Sequence, residues 1–293
     1  MSIARHNPYH PVAAPGEPLA YLYDGTFEGM LTCVYLSVKA RELPCDLQTP
    51  ANLQLRLGQK ERTVETDLNA ALQVKRSILR SHGSEVFTHL QEAAASDSED
   101  AGMAVFLFTK RLLGQCRACS SCLQKTTCNN ACQLGHNHKI LDELADPLVR
   151  RVESLRRHVL NEKERMIQFI RFQHLENDVW FARCNPNANV VPLLMNWFRA
   201  RFNTQRFVIY DETHKISGIY DGQRCHLVTG DITPPAAQLQ DHRVSQAWKR
   251  YFDSLCIPER INPELQRQLM PKRLWKNITE MQTELPQRTQ ASA

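Results

Sequence analysis

The stretch CRACSSCLQKTTCNNAC, residues 116–132, places Cys116, Cys119, Cys122, Cys128 and Cys132 at the spacing C-x2-C-x2-C-x5-C-x3-C, with His136 and His138 just downstream. A tetrahedral zinc site needs four soft ligands, commonly two close pairs on turns. Cys116 with Cys119 makes one such pair and Cys128 with Cys132 the other, which leaves Cys122 or a histidine over. The opening C-x2-C-x2-C is also the start of an iron–sulfur ligand run, although the usual fourth spacing and following proline are absent. The readings are therefore a zinc site, an iron–sulfur cluster, or a loop without metal. Cys33, Cys45, Cys184, Cys225 and Cys256 are scattered and read as ordinary core or surface residues.

Two further groups of residues could do chemistry. In YDGTFEG, residues 23–29, Asp24 and Glu28 flank the start of a helix. Paired carboxylates there could hold a divalent ion or act as acid and base. A simpler role for both is to close the turn and complement the helix dipole. In the C-terminal run MPKRLWK, Lys272, Arg273 and Lys276 surround Trp275. Cations beside an aromatic ring suit phosphate contact and base stacking. With Arg260, residues Lys272, Arg273 and Trp275 are the expected DNA-facing set; the alternative is that Trp275 and Leu274 pack on the domain while Lys272 and Arg273 are solvated. His158, His174, His214 and His226 have no shared spacing and read as structural. The sequence carries no Walker loop, no G-x-S-x-G, no H-E-x-x-H and no Rossmann fingerprint.

The elements that must position these groups follow from periodicity. LAYLYDG reads as a strand closed by a turn, and Thr26 as the cap of a helix carrying Leu31, Val34, Tyr35 and Val38. A strand RTVETD, a helix from about Leu68 to Leu79 and an exposed acidic loop over 91–102 come next. A short apolar helix, MAVFLFTKRLLG, precedes the cysteines. Asp146-Pro147 caps the helix that follows, whose outward residues mix both signs, as a solvated face does. MIQFIRFQHL and VWFARC read as a β-hairpin with Ile167, Phe169 and Arg171 on one face. VVPLLMNWFRARF is a helix, and QRFVIYD, KISGIYDG and RCHLVTG are three strands joined by short turns. Near the end, Trp248, Tyr251, Phe252 and Leu255 form one apolar helical face, and Asn262-Pro263 starts a last helix. The fold class is α+β, with antiparallel hairpin strands flanked by helices and a Cys-rich, metal-binding loop insertion at about 115–138. One domain over 19–281 lies between a flexible arm, 1–18, and a flexible tail, 282–293.

Composition narrows the classes. No run approaches the roughly 18 apolar residues of a spanning helix, and the proline-rich N-terminus has no signal-like apolar stretch. The expectation is a cytoplasmic protein, where clustered thiols bind metal more often than they form disulfides. Residues 1–146 carry 14 Lys and Arg against 16 Asp and Glu, a net of −2, and residues 147–293 carry 22 against 15, a net of +7. A basic C-terminal half fits a polyanionic partner, and it equally fits a solvated surface with more arginine than usual.

With LYDGTFEGMLTCVY at one end and WKRYFDSLCIPERINPELQRQLMPKRLWKNITE at the other, the chain resembles a bacterial DNA repair or DNA metabolism family of unassigned activity. DPLVRRVESLRRHVLNEKERMIQFIRF, VWFARCNPN and FVIYDETHKISGIYDG match it too, so that the resemblance covers about 19–281. The Cys-rich run departs from that pattern, as an insertion into a loop that is shorter and cysteine-poor in typical relatives. The resemblance implies a DNA repair setting and, as partner, a radical-SAM protein similar to DNA photoproduct lyases. Some relatives are fused to a uracil-DNA-glycosylase-like domain, which is not expected in this chain. The functional expectation is a DNA-binding partner of a radical-SAM repair enzyme. The alternatives are an enzyme acting on damaged DNA through the Asp24/Glu28 turn, or a non-catalytic protein scaffold.

The cysteine spacing carries the first prediction, that residues 116–132 bind one metal centre. Elemental analysis of anaerobically purified protein decides it. About one zinc per chain and no colour is the result for the zinc site, and a brown protein with iron and labile sulfide is the result for a cluster. Absence of any stoichiometric metal would sink the prediction.

Overall fold

The structure is a computed structural model. It describes residues 18–50, 53–54, 57–114, 140–175, 178–231 and 242–282, and for 242–245 and 258 the backbone alone. The expected arm up to residue 17, the tail from 283 and the loop 115–139 lie outside these residues. The chain divides into two compact units, Met1–Val159 and Leu160–Ala293. No helix among the described residues is long and apolar enough to cross a membrane.

In the first unit the order is β1 (Leu19–Leu22), α1 (Phe27–Ala40), β2 (Asp46–Gln48), β3 (Lys60–Thr63), α2 (Leu68–Ala94) and α3 (Ala101–Gly114), followed by the beginning of α4 (Pro147–Phe169). β1 is the middle strand, parallel to both β2 and β3. This corrects the expectation of hairpin strands throughout. A parallel neighbour needs a long crossover, and α1 supplies it between β1 and β2. β2 is three residues long, too short for an alternating pattern to register.

The helix boundaries follow local chemistry. Thr26 caps α1 by accepting from the Gly29 N–H at 2.9 Å. Asp67 caps α2 through the Asn69 N–H at 2.8 Å. α2 bends at Gly83, where φ is +83°, a value glycine adopts without strain. The helix then continues to Ala94 and buries Val86, Phe87 and Leu90. The acidic loop is therefore shorter than its composition suggests, 95–100 instead of 91–102. Asp146 caps α4 by accepting from the Leu148 and Val149 N–H groups. Val149, Val152 and Leu155 of α4 join Tyr21, Met30, Ile78, Leu90 and Phe106 in the core of this unit. Two arginines of α4 make ion pairs within this unit. Arg151 grips Asp100 at 2.5 and 2.7 Å, and Arg156 holds Glu92 at 2.7 Å.

The second unit starts within α4. A five-stranded sheet runs in the order β4 (Phe172–Leu175), β5 (Val179–Cys184), β6 (Arg206–Asp211), β7 (Ile216–Tyr220) and β8 (Cys225–Thr229). The expected hairpins β4/β5, β6/β7 and β7/β8 are antiparallel, whereas β5 and β6 are parallel. The crossover between them is α5 (Val191–Arg201), which packs on β7. Gly218 of β7 makes that packing close, because a Cβ there would meet Met195 and Val191 of α5. Phe172, Phe198, Phe202 and Phe207 cluster edge to face, except that Phe198 and Phe202 stack.

Residues 166–169 continue α4 instead of starting a strand. Val159, Glu162 and Met166 are buried at helical spacing, and that repeat outweighs the apolar alternation of MIQFIRF. α6 (His242–Leu255) and α7 (Pro263–Leu269) follow β8, and 3-10 turns over Lys272–Asn277 and Thr279–Met281 bury Leu274 and Ile278.

Candidate nucleic-acid interface

The four residues expected on a DNA-facing surface have different fates. Asn262 caps α7 through the Leu265 N–H, as its sequence position predicts. The turn after α7 then folds Arg273 inward. Its guanidinium donates to Glu162 Oε1 at 2.5 Å and to the Asn185 carbonyl at 2.8 Å. Asn185 Nδ2 donates back to the Arg273 carbonyl at 2.9 Å, and Asn277 Nδ2 donates to Asn185 Oδ1. Glu162 is 1% exposed and also accepts from the Asn187 N–H and from Arg165. Arg273 is therefore a structural tether. Trp275 is half-buried, with Nε1 donating to the Met270 carbonyl at 3.0 Å, and the exposed Lys272 lies over its ring at 6.0 Å. Lys276 pairs with Glu212 at 2.5 Å. Arg260 is exposed in a separate 3-10 turn, Pro258–Arg260. Lys272 and Trp275 are thus brought together, and Arg273 is turned away from solvent phosphate.

A second cationic surface lies at one end of the sheet. α5 ends in Trp197, Arg199 and Arg201, all exposed, and the Arg201 guanidinium sits 5.7 Å from the Trp197 ring centre. The β7–β8 turn comes to the same place. Arg199 bears electrostatically on Cys225, next to the exposed Arg224, and the Arg206 side chain runs beside Gly222. The acidic member is Asp221. It accepts from the Arg224 and Gln223 N–H groups and from His226, and these bonds hold its carboxyl down at about 2. Its charge is thereby committed to the turn. The signal in the sequence was WFRAR, but two arginines in a last helical turn are already accounted for by the helix dipole.

Asp24 and Glu28 stand on either side of the Thr26 cap of α1. Asp24 Oδ1 accepts from the Thr26 N–H at 2.9 Å and hydroxyl at 2.7 Å, and Oδ2 accepts from Thr66 at 2.7 Å. Burial pushes this carboxyl up, but the bonds from Thr26 and Thr66 outweigh it and hold it below the usual carboxylate range. A Cβ at Gly29 would collide with this network, so the glycine makes room for it. Glu28 is exposed in the first turn of α1, where its charge complements the dipole.

The proposed metal ligands Cys116, Cys119, Cys122, Cys128 and Cys132 lie outside the described residues, among which no cluster of His, Cys, Asp and Glu could hold a metal. Cys33 is buried and its thiol is pushed up to about 12, chiefly by burial. Cys184 is buried and raised for the same reason, with Asp211 and Glu212 adding to it. Neither has thiolate character. Of His158, His174, His214 and His226, three meet carboxylates: His174 meets Asp178, His226 meets Asp221, and His214 Nδ1 lies 2.5 Å from the fully buried Asp211 at the β6–β7 turn.

Residues 123–280, more than half of the chain, match a family described as a domain of unknown function, DUF4130, and the chain belongs to that family. The match begins inside the Cys-rich run, so that Cys128 and Cys132 fall within it and Cys116, Cys119 and Cys122 before it. No curated protein matches the chain.

The placement of Arg273 gives the second prediction. Arg273→Ala removes the main counter-charge of a buried carboxylate, and about 3 kcal/mol of stability is expected to go with it, because Arg165 and the Asn187 N–H remain. Lys272→Ala, at an exposed position, should stay within about 0.5 kcal/mol of the parent. Urea unfolding of both variants checks this, and equal stability of the two would refute the tether.

Proposed function

We propose that this member of the DUF4130 family is a non-catalytic DNA-binding protein of DNA repair or DNA metabolism that works beside a radical-SAM enzyme. The observation that supports DNA binding is the set of exposed cations on the last turn of α5 and in the β7–β8 turn, Arg199, Arg201 and Arg224, with Arg201 over Trp197, in the half of the chain with a net charge of +7. Cations fixed on a helix end and a tight turn can meet successive phosphates. Trp197, 38% exposed with Arg201 over it, offers a stacking face to an unpaired base. Lys272 and Trp275 add a second, smaller surface of the same kind. The repair setting and the radical-SAM partner rest on the resemblance of the terminal motifs. A zinc site, or alternatively an iron–sulfur cluster, at the cysteine run belongs to the same reading.

The enzyme alternative has weaker support, since both oxygens of Asp24 are already engaged by Thr26 and Thr66. Those bonds favour the capping role.

The test is oligonucleotide binding by fluorescence anisotropy across a salt series, with single-stranded and duplex probes. The paired change Arg199→Ala with Arg201→Ala should lower the log–log salt slope by about 0.7–0.9 for each phosphate that the protein no longer neutralises. Trp197→Ala should weaken single-stranded binding by about 1–3 kcal/mol and duplex binding less. An unchanged slope and affinity would remove this surface from the proposal. Co-purification with a co-expressed radical-SAM protein, with and without DNA, tests the partner, and its absence under both conditions would count against that association.

A further inference from the structure

One row of side chains crosses the whole sheet of the second unit. His174 of β4 stands opposite Trp180 of β5, Trp180 opposite Phe207 of β6, Phe207 opposite Tyr220 of β7, and Tyr220 opposite Cys225 of β8. Residues paired across strands share a face of the sheet, and the contact of Phe207 with Phe198 shows that this face is the one under α5. The middle of the row is closed, with Phe207 1% and Tyr220 5% exposed. Its β4–β5 end is not. Trp180 is half-buried, His174 keeps 34% of its side chain exposed, and the two rings lie 4.9 Å apart.

The last turn of α5 places a cation and a second aromatic ring on the same side. Arg199 bears on Cys225, at the β8 end of the row. Trp197 and Arg201 each stand two residues from Arg199, about 200° round the helix, so they leave the opposite flank, toward β5 and β4. The Arg201 guanidinium lies 5.7 Å from the Trp197 ring centre and 5.9 Å from that of Phe202. Phe202 in turn packs on Phe207, the row neighbour of Trp180, and on Phe172 of β4.

The indole N–H groups separate these rings from the other tryptophans. Trp248 is tied to Glu280 and Trp275 to the Met270 carbonyl, as an indole with a packing role usually is. Neither Trp180 nor Trp197 has such a bond among the described residues. A cross-strand aromatic pair also stabilises a hairpin, but that role does not require the rings to stay open beside an arginine.

We propose that the His174–Trp180 pair is a second base-stacking position of the nucleic-acid surface, on the Arg201 side of α5, so that the ligand is a single strand with at least two bases turned onto the protein. This rests on the DNA-binding reading and specifies its strand form. Stacking of this kind accepts any unpaired base, whereas the base faces of a duplex are covered by their neighbours. His174 Nε2 lies 3.0 Å from Asp178, so this position supplies ring surface and the phosphate contact falls to Arg201.

The experiment is fluorescence anisotropy of the full chain with an oligothymidine strand and with a duplex of the same length. Trp180→Leu should weaken the single strand about five- to hundredfold and leave the duplex within about twofold of the parent, while Trp180→Phe, which keeps a ring, should retain most of the affinity. A single strand bound by the Trp180→Leu chain as tightly as by the parent would overturn the proposal and leave the DNA-binding reading on Trp197. A loss shared equally by the duplex would overturn it too, since the residue would then act through the sheet. A parent chain that binds neither probe would remove the DNA-binding reading and this proposal together. Ultraviolet crosslinking of a bromodeoxyuridine strand to the parent chain needs no variant. Mass spectrometry should find adducts at both Trp180 and Trp197, and adducts at Trp197 alone would overturn the second position.

Discussion

A carboxylate at 1% exposure sets the terms for the second unit. Glu162 lies on α4 as that helix passes the sheet, and an ion taken out of water costs several kcal/mol unless charge and hydrogen bonds replace the solvent. Arg273, Arg165 and the Asn187 N–H do so. Each comes from a different part of the chain: the C-terminal turn, the helix itself, and the loop between β5 and α5. Satisfying one buried charge therefore brings the last described turns of the chain to the end of β5. Asn185 reinforces the junction from both its amide and its carbonyl. The consequence for function is a redistribution of cations. Arg273, which by composition looks like a phosphate ligand, is structural, and the exposed cations lie elsewhere.

Where they lie follows from the crossover. β5 and β6 are parallel, so a helix must return the chain between them. That helix, α5, ends beside the β7–β8 turn, with Arg199 near Cys225 of that turn and Arg201 over Trp197. Gly218 lets the helix approach closely enough to be rigidly held. Cations on such a platform keep their spacing, which a flexible tail would not. The α6–α7 arm has a different character. It is apolar and charge-balanced.

Local signals were legible where one residue settles them. The caps Thr26, Asp146 and Asn262 and the turns between β6, β7 and β8 are in place. Long-range features were not legible. β2 has three residues and takes its identity from β1. The parallel β5/β6 pairing spans the helix α5, and the hairpins on either side of it outweighed that strand–helix–strand order in the reading of the sheet. The Glu162–Arg273 pair joins residues 111 positions apart, and nothing in the run PKRLWK marks one cation as internal. The Arg–Trp surface was hidden for the opposite reason, since a simple helix-end role explained its arginines. The cysteine run remains a statement of spacing alone, outside the described residues.

The pivotal claim is that Glu162 and Arg273 hold each other. A double-mutant cycle measures this directly, with Glu162→Gln, Arg273→Met and the combined variant unfolded by urea as full chains. The expected result is a coupling energy of about 1–3 kcal/mol, because each single change removes the nearest charged partner of the other group. Stabilities that add within about 0.5 kcal/mol would contradict the account, and Arg273 would return to the set of cations available to a nucleic acid.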